Sequence, residues 1–581
     1  MSFSSFRAEC EKIAGAHASL LEKPPGEINA DLALPCFSLA KEMKKAPQQI
    51  AKELVAKWYN DKDTKLRHGA IHLKREGDAK QELIAIFRPT DTIKEIRAEG
   101  PYVNFYADWD KLGIGVISEA LKKGYGKGAE KRKMMVEFSG PNTNKPLHVG
   151  HLRNDSIGMA VSGILEFAGN AVLRSNIIND RGMHICKSML AYKKWGEGKT
   201  PQSENKKPDH FVGDFYVLFE KKSKEDPTLK DEIQSMLVAW EKGDPTVRAL
   251  WKKMNAWTLS GIKQTYSDFG SRFDLWPMES EFYDKAKPVL DEGVHKKLFV
   301  FNEKRDLVAK LAPLPDKVVL RADGTSVYIT NDIALTKHRF ESYKIDDCIW
   351  VVATEQDLHF QQLFKIFEKL GYAWAKNCYH LGYGLVNLPS GRMKTREGTV
   401  VDADDLIGEL KKLAGEEIQK RDESIDDVEL NSRSRAIALA AIKYFMLRVE
   451  PQKDILFDPT KAISFEGDTG PYLQYTHARA SSVLRKAMKK AKAGTLDAQE
   501  LPMIRKLAEF PEAAAKAAKE LKPNIITTYL AELAALFNSY YHENKIIGSD
   551  SEEAKLALVA AVKGVLGLGM KLLNIEPIER M

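Results

Sequence analysis

Apolar residues along this chain change their spacing twice, and each change marks a change of architecture. Through about residue 128 they come in short alternating runs at 83–87, 93–96 and 102–105, with Gly100-Pro101 making a turn. A helix is predicted from Pro47, because Ile50, Leu54, Val55 and Trp58 then follow at helical spacing. Residues 1–128 therefore read as a separate α+β unit. The basic, glycine-rich stretch 122–128 closes it and is expected to be a flexible linker or a surface loop. From 129 to 400, strand patterns at 134–138, 172–178 and 347–352 alternate with helical ones, including 358–370 after the last strand. That alternation predicts βαβ units and a parallel sheet, with 199–244 as a polar helical insertion. Beyond 401 strand patterns nearly vanish. Ile437, Ala441, Tyr444, Phe445 and Leu447 make one helix face; Ile525, Tyr529, Leu533 and Phe537 make a second; Leu558, Val562, Val565 and Leu566 make a third. A helical junction over 401–470 and an all-α bundle over 471–581 are expected, so the class is a multidomain α/β protein.

Composition narrows this picture without naming a function. The 581 residues are 44% hydrophobic and 29% charged, enough for three or four domains. A net charge of +7 permits an anionic partner but does not require one. Cys10, Cys36, Cys186, Cys348 and Cys378 are scattered and odd in number, which points to a reducing, cytoplasmic setting. No secretory signal is expected, and the most apolar stretch, 556–573, is broken by Lys563 and Lys571. No membrane and no DNA partner is expected, and the chain is expected to be a monomer.

Candidate chemistry starts at His148-Val149-Gly150-His151. A short apolar run precedes it, then a cluster of turn formers, Ser139 to Asn144; apolar residues at helical spacing follow it. Both histidines thus sit where a strand hands over to a helix, and unpaired N–H groups at that helix start suit a phosphate. Gly150 would let a ring or phosphate approach the backbone. By itself the motif is equally a turn with two surface histidines. No Cys/His cluster with zinc-like spacing accompanies it, so no resident metal is expected. A second feature lies at 389–399, where Arg392, Lys394 and Arg396 stand close together in a Gly-flanked loop able to fold over a triphosphate. A third is a run of cations, Arg479, Arg485, Lys486, Lys489, Lys490 and Lys492, read either as a solvated helix face or as an RNA-backbone contact.

Taken together these motifs resemble the HIGH and KMSKS signatures of class I aminoacyl-tRNA synthetases. Nearly the full length is similar to the arginyl-tRNA synthetases. The carriers are Gly100-Pro101-Tyr102-Val103-Asn104-Phe105, the two nucleotide motifs, Tyr472 to Arg479, Tyr529 to Ala534, and the ending Pro577-Ile578-Glu579-Arg580-Met581. The resemblance implies a Rossmann-type doubly wound core, an N-terminal unit that contacts tRNA through residues such as Asn104, a stem-contacting junction, and a helical anticodon-binding tail in which Arg479, Arg485, Lys486 and Lys489 meet RNA. It implies ATP, with Mg²⁺, at His148, Gly150, His151, Met393 and Lys394. Thr395 stands where KMSKS has its second lysine, and Lys145 is expected to supply the missing charge. L-arginine is expected at Asn142, Asp180, Glu279, Tyr328, Asp332 and Gln356, because a guanidinium needs acids in a fixed fork. The implied activity is arginine–tRNA ligation through an arginyl-adenylate, with tRNA(Arg), L-arginine and ATP as partners. Three rivals are a class I enzyme for another amino acid, a small-molecule nucleotidyltransferase with an HxGH turn, and a non-enzymatic RNA-binding relative.

Overall fold

The structure is a computed structural model that describes residues 3–25, 30–60, 71–75, 82–87, 90–283, 285–324, 327–387, 389 and 401–581. Residues 1–125, 479–511 and 533–566 cluster into one compact unit, and 126–478, 512–532 and 567–581 into another.

In the first unit, five antiparallel strands stand in the order Leu32–Pro35, Tyr102–Ala107, Ile93–Glu99, Glu82–Phe87, Ile71–Arg75. The helix Pro47–Asn60 buries Ile50, Leu54, Val55 and Trp58, the four residues whose spacing predicted it. The stretch 122–128 departs from a flexible linker. Tyr125 stacks on Phe510 at 6.1 Å, and its hydroxyl donates to Leu507 O at 3.0 Å. The stretch is a surface turn, with Lys122, Lys123, Lys127 and Gly128 exposed, held by one aromatic anchor.

The second unit is built on a four-stranded parallel sheet in the order Cys378–Tyr383, Asp347–Ala353, Lys133–Glu137, Ala171–Ser175. The chain makes the two central strands first and third, then adds one neighbour outside each. Right-handed crossovers in opposite directions put their helices on opposite faces of the sheet. One helix, Val149–Phe167, is buried on nearly every side, with Leu152, Ile157, Val161, Ile164 and Leu165 in the core. A Cβ at Gly158 would lie 2.1 Å from the Phe138 ring, so glycine there sets how closely that helix meets the sheet. Helices Pro208–Glu225 and Leu229–Glu241 occupy the predicted insertion and carry their own apolar core around Phe211, Phe219 and Ile233. A three-stranded antiparallel sheet, Lys317–Leu320, Leu307–Ala309, Phe299–Phe301, was not anticipated. Past 401 the chain is helical apart from Ile455–Leu456, and the face Ile437, Ala441, Tyr444, Phe445, Leu447 is buried as its spacing implies. No described helix is long and apolar enough to cross a membrane.

Candidate active site

In an open parallel sheet, ligands bind beyond the carboxyl ends of the strands where the strand order reverses. Here that point lies between Lys133–Glu137 and Asp347–Ala353, neighbours paired from Asp347↔Met134 to Trp350↔Glu137. The first strand runs into the loop that carries Asn142, Lys145 and His148. The other runs into Thr354–Gln356, where Gln356 is exposed. The topology therefore brings both candidate loops to one edge.

The histidines are organised by the backbone around them. His148 is the N-cap of the helix Val149–Phe167, and its Nδ1 accepts from Gly150 N at 3.2 Å. His151 Nδ1 accepts from His148 N at 3.1 Å, and the two rings lie 4.0 Å apart. A ring nitrogen that accepts cannot carry a proton, so both imidazoles are neutral with Nε2–H as a donor. Burial, with Lys145 nearby, pushes the His148 pKa down to about 4, and burial with His148 and Lys145 beside it holds His151 well below the usual range. Both remain neutral donors at pH 7. A Cβ at Gly150 would stand 3.0 Å from the His148 ring, so the glycine makes room for the protein's own imidazole rather than for a ligand alone. Burial also lowers the pKa of Lys145.

The acids come from three segments laced side by side. Asn142 bridges Asn179, Ile178 bridges Met278, and Glu279 N donates to Ile178 O at 2.9 Å. This places Asn142, Asp180 and Glu279 on adjacent segments, Glu279 opening the short 3-10 turn Glu279–Glu281. Glu279 Oε1 accepts from Asn331 Nδ2 at 3.4 Å, which ties it to the helix Tyr328–Tyr343 and so to Asp332 one residue on. Burial chiefly, with the charges of Asp180 and Asp332 against the partial relief from Arg181, raises Glu279 to about 7. Tyr328 begins that helix and is exposed. Asp180 is held by the chain itself. The residue is 1% exposed and its carboxylate accepts from Ser280 N at 2.9 Å and Ser280 Oγ at 2.6 Å, so it braces the Glu279 segment.

Arg392, Met393, Lys394 and Arg396 lie outside the described residues. The residues that follow them are placed. Val149 N donates to Val401 O at 2.9 Å, Ala403 N donates to Leu147 O at 3.0 Å, and His148 bridges Asp402. Residues 401–403 are thus stitched to the backbone on both sides of His148. Asp402 then caps the helix Ala403–Gln419 through Asp404 N and Asp405 N.

Of the residues expected to meet RNA, Asn104 is fully buried and donates to Glu99 Oε2 at 2.6 Å. It belongs to the sheet's own bonding, a correction to the expected contact. The cation run is also divided. Its helix, Gly470–Lys486, ends at Lys486, and Lys489 sits beyond it, 3.6 Å from Glu552. Arg479 lies over the Tyr541 ring at 5.0 Å and bonds Asn538 at 2.5 Å. Lys486 and Tyr541 line an open cavity of about 420 Å³ with His542, Asn544, Ile546 and Ile547.

Two features escaped sequence reasoning. Arg153 is fully buried and donates to Leu385 O and Pro451 O, each at 2.9 Å, tying the histidine helix to the chain on either side of the basic segment. Asp209, His210 and Asp404 are the one group among the described residues spaced to hold a metal ion. The Lys207 ammonium already bonds Asp209 and Asp404, so a cation's place is taken by the chain itself.

Comparison with known proteins gives the family. Residues 116–458 match the family model of the tRNA synthetases class I (R) catalytic domain, 473–581 the DALR anticodon binding domain, and 4–66 the arginyl tRNA synthetase N terminal domain. The arginine–tRNA ligase of Treponema denticola is 41% identical over 98% of this chain and 96% of its own. That of Bacteroides fragilis is 39% identical over 97% and 95%. The solved arginyl-tRNA synthetase of Thermus thermophilus superposes with a TM-score of 0.82 at 27% identity, covering 99% of this chain and all of that one. The chain belongs to the arginyl-tRNA synthetases.

Proposed function

We propose that this enzyme, an arginine–tRNA ligase, acts through the residues assembled at the sheet's switch point. The observation that carries the reading is the pairing of Val401 and Ala403 with Val149 and Leu147, which ties the chain that follows the basic segment to the histidine loop. In the first step an arginine carboxylate oxygen attacks the ATP α-phosphorus, the bond to the bridging oxygen breaks, and pyrophosphate leaves. In the second, a hydroxyl of the terminal adenosine of tRNA(Arg), the 2′ by class I analogy, attacks the adenylate carbonyl and AMP leaves. No protein nucleophile is needed, and catalysis rests on positioning and on charge stabilisation.

In this scheme His148 and His151 donate from Nε2 to adenosine and phosphate oxygens. Lys145, Arg392, Lys394 and Arg396 offset charge on the moving phosphates, and Met393 and Gly150 lie along the nucleotide. Glu279 and Asp332 receive the guanidinium, Tyr328 and Gln356 flank it, and Asn142 meets the substrate backbone. The side chains described at the histidine loop, His148, His151 and Lys145, offer donors suited to phosphate oxygens, so magnesium would travel on the phosphates of ATP. The cavity at Lys486 and Tyr541, beside Arg479, offers an aromatic face with nearby cations, which suits an unpaired base of the anticodon arm. Arg485 extends that charge. A reducing, cytoplasmic setting fits five buried free thiols.

The test is tRNA charging with arginine against the other nineteen amino acids. Charging with arginine alone is expected. Charging with a different amino acid would overturn the substrate assignment, and none with any would overturn the activity.

A further inference from the structure

The two acids assigned to the guanidinium are held in different ways. Among the described residues, Glu279 accepts one long side-chain bond, from Asn331 at 3.4 Å. Asp332 has a close partner: His359 Nε2 lies 2.8 Å from its Oδ2. His359 stands in the first turn of the helix Asp357–Leu370, three residues past Gln356, with its ring edge-on to Phe360 at 5.4 Å. Asp332 is in the second turn of the neighbouring helix Tyr328–Tyr343.

An ionised carboxylate only accepts, so Nε2 must carry the proton of that bond. The bond removes the rotational freedom of a carboxylate on a short stem. It engages one oxygen and leaves Oδ1 for a ligand. Recognition of a planar fork depends on such pre-orientation more than a point charge would, because both donors must meet their acceptors at once.

We infer that His359 is a positioning residue for arginine: it fixes Asp332 through Oδ2 so that Oδ1 faces the guanidinium. It does not touch the substrate. The inference rests on the assignment of Asp332 to the guanidinium made above, and the test keeps the two apart.

Equilibrium binding of L-arginine and, separately, of ATP to the full-length enzyme is measured by calorimetry. His359→Ala is expected to weaken arginine about tenfold, the worth of one bond to a charged group, and to leave ATP affinity alone. His359→Gln, whose amide can still donate to Asp332, is expected to recover most of the loss. In an Asp332→Asn background, His359→Ala is expected to add nothing further. Unchanged arginine affinity in His359→Ala would overturn the inference, provided Asp332→Asn does weaken arginine. Parallel loss of arginine and ATP would overturn it too, since that marks general damage to the start of the helix. If Asp332→Asn itself leaves arginine binding intact, the assignment of the pocket fails, and the inference with it.

Discussion

The histidine loop and the acid cluster solve opposite electrostatic problems with opposite materials. Around His148 and His151 the donors are fixed by main-chain N–H groups within four residues of one another, and burial keeps both rings neutral. Around Glu279 and Asp332 the acceptors come from segments about fifty residues apart, and burial beside other acids leaves Glu279 near pH 7 without a settled charge. The first half is complete before a ligand arrives. The second is completed by the ligand, because an arriving guanidinium restores the charge that burial suppresses. A nucleotide site built this way should tolerate pH, and an arginine site should not.

The strongest way to break the contrast is Glu279→Gln. Steady-state kinetics should show the arginine KM rising on the order of a thousandfold, as expected when one member of a buried charge pair is removed. The ATP KM should hardly move. Equal losses for both substrates would mean that the two halves are not separable. His148→Ala should do the reverse, lowering kcat about a hundredfold with little change in the arginine KM, since one oriented donor to developing charge is lost.

These halves were also unequally legible in the sequence. The histidine loop is local: a strand, turn formers and a helix in about thirty consecutive residues suffice to place it, although burial of Val149–Phe167 extends well beyond its apolar positions. The acid cluster depends on bridges such as Ile178 to Met278, which no periodicity announces, so its members were accessible through family resemblance alone. For the same reason periodicity does not announce that Ser280 donates to Asp180, or that Asn104 is buried and donates to Glu99. Residues 299–320 hid a sheet because strands of three or four residues are too short to show alternation. Arg153 was invisible because a charged residue on a helix is ordinarily solvated, and only the fold supplies carbonyls for it.

Smaller effects sharpen the comparison. Lys145→Ala should slow arginine activation about tenfold in ATP–pyrophosphate exchange with tRNA present, the scale of one partly desolvated charge near a phosphate. Normal activation would remove Lys145 from the phosphate side. The arginine KM should rise about tenfold per unit as pH falls below 7 and level off above it, because the ionised form of Glu279 is the one that binds a cation. The ATP KM should stay flat over the same window, since His148 titrates only near 4.

The most direct measurement is the proton released when L-arginine binds at pH 6.5, read by calorimetry in buffers of different ionisation enthalpy. Glu279, with its pKa near 7 in the free enzyme, should release about three-quarters of a proton on meeting the guanidinium, and Glu279→Gln should release almost none. Binding without proton release in the wild type, or equal release in the variant, would contradict the claim that this buried acid receives the substrate side chain.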